Sequence, residues 1–247
     1  IQWILEEKYL RYQKFGAGVS QGKLPAAVKK DIKRLKVGEP LDHIIGFVDF
    51  LGCNILVDKN VLIPRFETEF WVEQAIDELK VYKVGKVYKV LDMFAGSGCI
   101  GVSIMHHLKN THVTFAESEK EAVAQIEKNS TLKKNPVKRY KRKKSNIFSN
   151  VSGTFDYIFA NPPYIPLTKK SSLQKSVLDY EPHVALFGGA DGLDIIQRFL
   201  AEAKNRLSSR GKVYMEFDTV QRNQVNKILK KYHYKQWQFQ KDQYDKF

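Results

Sequence analysis

The sequence predicts an α/β fold: a Rossmann-like, mostly parallel sheet with a small N-terminal helical lobe and a connecting β-hairpin. Three observations carry this expectation. From about residue 86 onward, short apolar runs alternate with helical patterns, as parallel strands joined by crossover helices require. The first of these runs enters a glycine loop, Gly96-Ser97-Gly98-Cys99-Ile100-Gly101. A later run, Phe155-Asp156-Tyr157-Ile158-Phe159-Ala160, stops at Asn161-Pro162-Pro163-Tyr164. Proline has no N–H to give to a ladder, so the strand ends there, and two prolines in a row stiffen the backbone that carries the Asn amide.

Residues 1–37 read as helical. Leu24-Pro25 opens a second helix with proline at an early position, where a missing N–H costs little, and Val28, Ile32 and Leu35 recur at helical spacing before Gly38. Phe47–Leu51 and Ile55–Val57 read as two strands of a hairpin turning around Gly52-Cys53-Asn54. Thr68 is expected to cap a helix over 69–79, with Val72, Ile76 and Leu79 inward. Strands follow over 87–94, 113–116, 138–144, 155–160 and 212–217, with a last one over 234–239. Helices are expected to about 109, over 119–130, over 193–207 and over 220–231. The implied organisation is an N-terminal lobe at 1–40 for partner recognition, a hairpin and linking helix at 41–83, and a catalytic domain at 84–247. The chain stops where a seventh strand is expected to start, so the sheet is expected to end one strand short or to be completed by further residues.

The composition is that of a globular protein, 43% hydrophobic and 12% aromatic over 247 residues. No apolar run approaches the ~20 residues that span a bilayer, and no secretory signal is visible, so no membrane role is expected. Cys53 and Cys99 form no disulfide framework and no metal-ligand cluster, which points to a reducing, cytoplasmic setting and no metal; a monomer is expected, with no sequence feature that fixes the oligomeric state. The formal charge is +14. Lys138-Arg139-Tyr140-Lys141-Arg142-Lys143-Lys144 concentrates part of it, either as a solvated surface or as a patch for nucleic acid. His43, His183 and the His106-His107 pair read as surface or packing residues, and the tryptophans show no site role.

The glycine loop contains Gly-x-Gly-x-x-Gly at Gly96, Gly98 and Gly101, a pattern shared by dinucleotide enzymes. Glu117, at the end of the next strand, stands where an acid hydrogen-bonds ribose hydroxyls. Together they point to a nucleoside-bearing cofactor. Asp92, just before the loop, would repel a pyrophosphate and favour a cation. S-adenosylmethionine carries a sulfonium, an ammonium and no phosphate.

With these residues in hand, the chain resembles the HemK/PrmC class of S-adenosylmethionine-dependent methyltransferases, which act on a glutamine in peptide chain release factors. The resemblance covers nearly the whole chain. It includes Gly38-Glu39-Pro40 with Ile45-Gly46 and Phe50, and Leu62 to Glu69 with its Pro-Arg-x-x-Thr-Glu pattern. It continues through Leu91 to Ile100, Phe155 to Ile165, Glu181-Pro182, Gly188-Gly189 with Asp191-Gly192-Leu193, and Lys212 to Glu216 with Gln221. Asn-Pro-Pro-Tyr alone is shared with adenine methyltransferases; the Pro-Arg-x-x-Thr-Glu and Gly-Gly-x-Asp-Gly-Leu segments are more specific.

The resemblance implies a class I methyltransferase sheet. It implies that Asp92, Phe94, Ala95, Gly96, Ser97 and Gly98 line the cofactor pocket, with Glu117 on the ribose and Ile147 and Asn161 also touching the cofactor. Asn161, Pro162 and Tyr164 are implied as catalytic, and with Pro163 and Arg65 as substrate-binding. Arg65 and Glu69 either brace the pocket or form a structural ion pair. Glu117 stands where the family usually has Asp, Asn146-Ile147 departs from the family pattern before the fourth strand, and Asp242, Asp245 and Lys246 match its closing segment poorly. In this reading, Asn161 Oδ1 and the Pro162 carbonyl accept the two N–H groups of the target amide while Tyr164 packs on its plane. The rival readings are an adenine methyltransferase on DNA or RNA, a dinucleotide-dependent oxidoreductase, and a non-catalytic RNA-binding protein.

Overall fold

The computed structural model describes residues 8, 26–80, 86–132 and 137–245. Apart from residue 8, the helix expected over residues 1–24 and the early position of Pro25 lie outside these residues. The first described helix is α1, Ala26–Lys36, followed by α2, Leu41–Ile45. Their polar anchor is Asp31, a buried carboxylate that takes hydrogen bonds from Lys8 and Arg34.

Strands β1, Phe47–Phe50, and β2, Cys53–Leu56, form the hairpin. Phe50 pairs with Cys53, so the turn is Leu51-Gly52 rather than Gly52-Cys53-Asn54 as the sequence suggested. Both turn residues have positive φ, +50° and +69°, which matches the twist of two-residue hairpins. Asp49 accepts the Gly52 N–H and closes it. Helix α3 runs Phe66–Lys80. It starts before Thr68, so Thr68 is a first-turn residue and not the cap expected of it.

The main sheet has five parallel strands in the order β5-β4-β3-β6-β7. These are β3 Tyr88–Met93, β4 Thr111–Glu117, β5 Tyr140–Lys144, β6 Phe155–Ala160 and β7 Leu207–Met215. The remaining helices are α4 Cys99–His107, α5 Lys120–Leu132, α6 Lys175–Tyr180, α7 His183–Leu186, α8 Asp194–Ala203 and α9 Arg222–Lys231. Side chains alternate across the sheet, as a pleat demands. Val90, Val113, Phe115, Tyr157 and Phe159 join the hairpin, α3, α4 and α5 on one face. Leu91, Met93, Ala116, Ile158 and Ala160 join α8 and α9 on the other. Phe155 falls on the second face because the register with β7 shifts between Phe155 and Tyr157.

The strand expected over 234–239 does not form. Its aromatic side chains are engaged elsewhere: Tyr234 donates to the Leu200 carbonyl, Trp237 to Asn226, and Phe239 packs edge-on to Phe217. The segment runs along α8 and α9 instead of pairing in the sheet.

The basic run divides by role. Arg139 donates to the carbonyls of Met105, Leu108 and Thr111 and to the Thr111 hydroxyl, satisfying backbone oxygens left open at the end of α4. Arg142 pairs with Glu127. Lys141, Lys143 and Lys144 are exposed on β5, an edge strand, where lysine discourages pairing with another chain.

Losing Arg139 removes a charged donor from three carbonyls, of which that of Leu108 keeps the Thr111 hydroxyl, at a cost of about 1–3 kcal/mol. Arg139→Ala is expected to lower the melting temperature by several degrees, while Lys141→Ala and Lys143→Ala leave it within about one degree. Equal shifts for all three would mean that Arg139 has no special structural role.

Candidate active site

The residues expected after β3, β4, β5 and β6 lie at the C-terminal rim of the sheet. Met93 is in register with both Ala116 and Ala160, so the chain leaves β3, β4 and β6 at one level. Lys144 is level with Glu117, which brings Asn146 and Ile147 to the same rim. Strand order reverses between β3 and β6, the position where open α/β sheets bind ligands.

The glycine loop passes from β3 to α4. The helix cap residue Gly98 has no side chain to satisfy the first turn. Asp92 does so from below: fully buried, it accepts the Gly101 N–H at 2.8 Å through Oδ2. A Cβ at Gly101 would meet Phe115 at 2.3 Å, so glycine lets the helix lie on β4. Asp92 thus sits beneath the loop. Burial pushes its carboxyl well above the usual range, with the Gly101 N–H opposing and Glu117 adding to the rise.

Glu117 faces the loop from the end of β4. Its Oε2 accepts the Gly96 N–H at 2.8 Å, and Oε1 accepts the backbone N–H groups of Ser118 and Glu119. Gly96 has φ +53° with no atom nearer than 4.0 Å to where a Cβ would stand. The loop therefore presents bare backbone beside a carboxylate, the geometry a ribose diol takes. Phe94 at φ +60° and Ile147 at φ +53° flank it from the ends of β3 and β5. A bulky or β-branched residue in the left-handed region is costly, and such strain collects at ligand sites. Ala95 and Ser97 are buried within the same loop. Bare loop backbone beside the Glu117 carboxylate, with the apolar Phe94 next to it, would fit an adenosine-bearing group.

The tetrapeptide is fixed by two sets of contacts. One is a hydrogen-bond network on Glu216, the residue directly after β7. Its Oε2 accepts from the Thr68 hydroxyl at 2.7 Å and from Trp71 Nε1 at 2.8 Å; its Oε1 accepts from the Tyr164 hydroxyl at 2.9 Å. Thr68 in turn accepts from Asn161 Nδ2 at 3.0 Å. This assigns the orientation of the Asn161 amide, and among the described residues none donates to Oδ1. Burial, and then the Glu216 charge, hold the Tyr164 hydroxyl well above its usual range, so it remains a donor.

The other set is backbone. Gln221 donates to the Tyr164 carbonyl, and the Gly188 N–H to the Ile165 carbonyl. A Cβ at Gly188 would lie 2.4 Å from the Pro163 oxygen, and one at Gly192 would lie 2.1 Å from the Tyr164 oxygen. The glycine-rich segment 188–192 is thus an abutment for the tetrapeptide, which explains why small residues are needed there.

Arg65 does not pair with Glu69. It donates to Glu181 Oε1 at 2.6 Å, and Glu181 Oε2 takes the Ile63 N–H. Glu69 accepts the Leu51 N–H of the hairpin turn. Arg65 is therefore a brace between the start of α3 and the α6–α7 junction. Trp71, read from sequence as having no site role, stacks on Phe159 at 6.0 Å and anchors Glu216. The sequence signal for Glu216 was a lone acid at the end of an apolar strand, level with the other rim residues. Of the histidines, His43 is a buried packing group whose pKa is lowered mainly by burial, and His107 is a surface residue that contacts the Leu51 carbonyl. Among the described residues there is no group of His, Cys, Asp and Glu suited to a metal, and no helix long and apolar enough to cross a membrane.

Residues 76–178 match the family model of the methyltransferase small domain. The crystal structure of a ribosomal protein L11 methylase from Lactobacillus delbrueckii subsp. bulgaricus superposes with a TM-score of 0.50 at 18% identity, over 70% of each chain, a likeness of fold. The chain is an S-adenosylmethionine-dependent methyltransferase with a Rossmann-like sheet. A release factor glutamine methyltransferase of Flavobacterium psychrophilum is 35% identical over 85% of this chain and 74% of that protein. One from Lactococcus lactis subsp. lactis is 34% identical over 80% and 70%. A bifunctional methyltransferase of Rickettsia prowazekii is 32% identical over 84% of this chain and 43% of its own length. The chain belongs to the release factor glutamine methyltransferase family.

Two outcomes are expected. Glu216→Ala frees Thr68, Trp71 and Tyr164 together, and should lower kcat by about 10²-fold with cofactor affinity little changed; Glu216→Gln should recover part of this. Loss of cofactor binding instead would place Glu216 in the wrong role. Asp92→Asn keeps the acceptor for Gly101. In the unfolded chain Asp92 ionises above about pH 4, while in the fold it holds its proton to higher pH. Its contribution to stability is therefore full below that pH and falls as pH rises towards the folded value. The cofactor-free Asn variant should gain melting temperature over the parent between about pH 5 and pH 7, and converge with it near pH 4. A gain independent of pH would contradict the assignment.

Proposed function

We propose that the chain transfers a methyl group from S-adenosylmethionine to the side-chain amide nitrogen of a glutamine in a peptide chain release factor. The observation that carries this is Asn161. Its Nδ2 is spent on Thr68, which leaves Oδ1 at the rim beside the glycine loop as an acceptor for an amide N–H. The names of the relatives supply the substrate class.

Bound cofactor supplies an electrophilic methyl on a sulfonium, with a neutral thioether as leaving group. The chain has to prepare the acceptor. An amide nitrogen is a poor nucleophile because its lone pair is delocalised into the carbonyl. Asn161 Oδ1 and the Pro162 carbonyl accept its two N–H groups and so turn the remaining lobe towards the methyl. Pro162 and Pro163 hold those acceptors still, and Tyr164, tethered to Glu216, closes one side against water. No strong base is required, since the methylated nitrogen sheds its proton to solvent. Positioning of this kind is worth up to ~7–11 kcal/mol in favourable cases. The N-terminal lobe at 1–40 serves recognition of the protein substrate, the hairpin and linking helix at 41–83 join it to the catalytic domain at 84–247, and Arg65 steadies the approach through Glu181.

A second reading, amino methylation of adenine in nucleic acid, draws on the exposed Lys141, Lys143 and Lys144 of β5. The two readings separate in one assay: labelled cofactor offered with a release factor and, separately, with DNA and RNA. The expected result is label on the protein alone, with a single methyl mapped to glutamine by mass. Label on nucleic acid only would overturn the assignment. Asn161→Ala should lose transfer by about 10²–10³-fold while binding cofactor as the parent does; normal turnover would remove Asn161 from the mechanism.

A further inference from the structure

The hairpin lies outside the main sheet, yet one side chain joins it directly to the glycine loop. Asn129, on α5, is fully buried. Its Oδ1 accepts the Leu56 N–H at 2.8 Å, and its Nδ2 donates both to the Leu56 carbonyl at 3.0 Å and to the Ser97 carbonyl at 2.9 Å. Leu56 is the last residue of β2, and Ser97 stands between Gly96 and Gly98. A single amide thus satisfies three backbone groups from two elements about forty residues apart in sequence. Gln125, one turn earlier on α5, donates to the same Leu56 carbonyl at 2.8 Å but has no bond to the loop. The other fastenings of the loop act on its neighbouring peptides: the Ala95 N–H on the Ala116 carbonyl at 3.2 Å, Glu117 on the Gly96 N–H, the 2.6 Å bond from the Gly98 N–H to the Ala95 carbonyl, and Asp92 on the Gly101 N–H.

From this geometry we infer that Asn129 is a positioning residue which couples the hairpin to the cofactor loop. A Ser97 peptide held in place by Asn129 keeps the Gly96 and Gly98 peptides in the conformation that meets Glu117. The hairpin, fastened to the same amide, is ordered whenever the loop is. Coupling of this kind is reciprocal: a ligand that orders the loop also orders the hairpin, to the same free energy. Glutamine in place of asparagine would be too long for the buried site, and aspartate would turn two donors into an acceptor facing two carbonyls. The inference rests on the reading of the loop as the cofactor site.

Its test has three parts. In the parent protein, S-adenosylmethionine is added and amide hydrogen exchange is followed at Leu56, whose N–H ends on Asn129. Exchange at Leu56 is expected to slow on binding; an unchanged rate, with binding confirmed by calorimetry, overturns the coupling whatever the variants do. Asn129→Asp and Asn129→Ala are expected to bind S-adenosylmethionine at least about tenfold more weakly by calorimetry and to lose that protection. Gln125→Ala is expected to speed exchange in the hairpin while leaving cofactor affinity within about twofold. Equal weakening by Gln125→Ala would assign the effect to hairpin stability and overturn the direct link through Ser97. Absence of cofactor binding by the parent protein itself would instead sink the reading of the loop.

Discussion

The Glu216 carboxylate is the constraint on which the geometry of the Asn161-Pro162-Pro163-Tyr164 segment depends. Three donors from two elements meet on it: Thr68 and Trp71 from α3, and Tyr164 from the tetrapeptide. A carboxylate with three hydrogen bonds is a stiff junction, because each charge-assisted bond is stronger than a neutral one and all share the same two oxygens. Through Thr68 the junction extends to Asn161, whose amide is thereby oriented. The stack of Trp71, Phe159 and Tyr214 beneath it keeps α3 flush with β6 and β7, each aromatic pair adding about 0.5–1.5 kcal/mol beyond area burial. The linking helix is for this reason part of the site and not a mere connector.

The glycine-loop side is built differently. There the backbone itself is the surface, and side chains act from behind it. Asp92 supports α4 from within the sheet, Glu117 holds the Gly96 N–H from the next strand, and Asn129 holds the Ser97 carbonyl from α5. One side chain from each direction is needed because a glycine loop has little of its own to hold it. The glycine segment 188–192 does the reverse for the tetrapeptide: the absence of side chains allows backbone to lie against backbone. Both halves of the site combine rigid peptide geometry with remote polar anchors, which suits a reaction whose barrier is lowered mainly by alignment.

Charge behaves less uniformly than the formal +14 suggests. Arg139 is consumed in capping α4 and Arg142 in an ion pair, so the densest basic run is partly structural. Asp92 was expected to offer a negative charge to a cationic ligand. Its complete burial favours the neutral acid instead, and its clearest service is to the Gly101 N–H. A residue type at the right position along the chain does not reveal which way its side chain turns.

The order of strands β3 to β7 and of the helices α4, α5, α8 and α9 was legible in the sequence, because most buried parallel strands are short apolar runs and their crossover helices carry a different period; the short helices α6 and α7 were not expected. So was most of the rim: Gly96, Glu117 and Asn161 each follow an apolar run, and parallel strands deliver such residues to one edge, whereas Ile147 follows the basic strand β5. The hairpin turn starts one residue earlier and ends two residues earlier than expected because both Leu51 and Gly52 adopt positive φ, and leucine carries no sequence signal for that. The strand at 234–239 failed because an apolar, aromatic run does not reveal whether its partners are a sheet edge or a helical surface. The partnerships of Thr68, Trp71, Asn129 and Glu216 were out of reach for the same reason. A hydrogen bond between residues more than thirty positions apart has no local pattern, and it exists only once the chain has brought its two ends together. The sequence by itself determined the layers, the rim and the chemistry available there; the tertiary structure alone decided which polar groups spend themselves holding the site and which remain free to act.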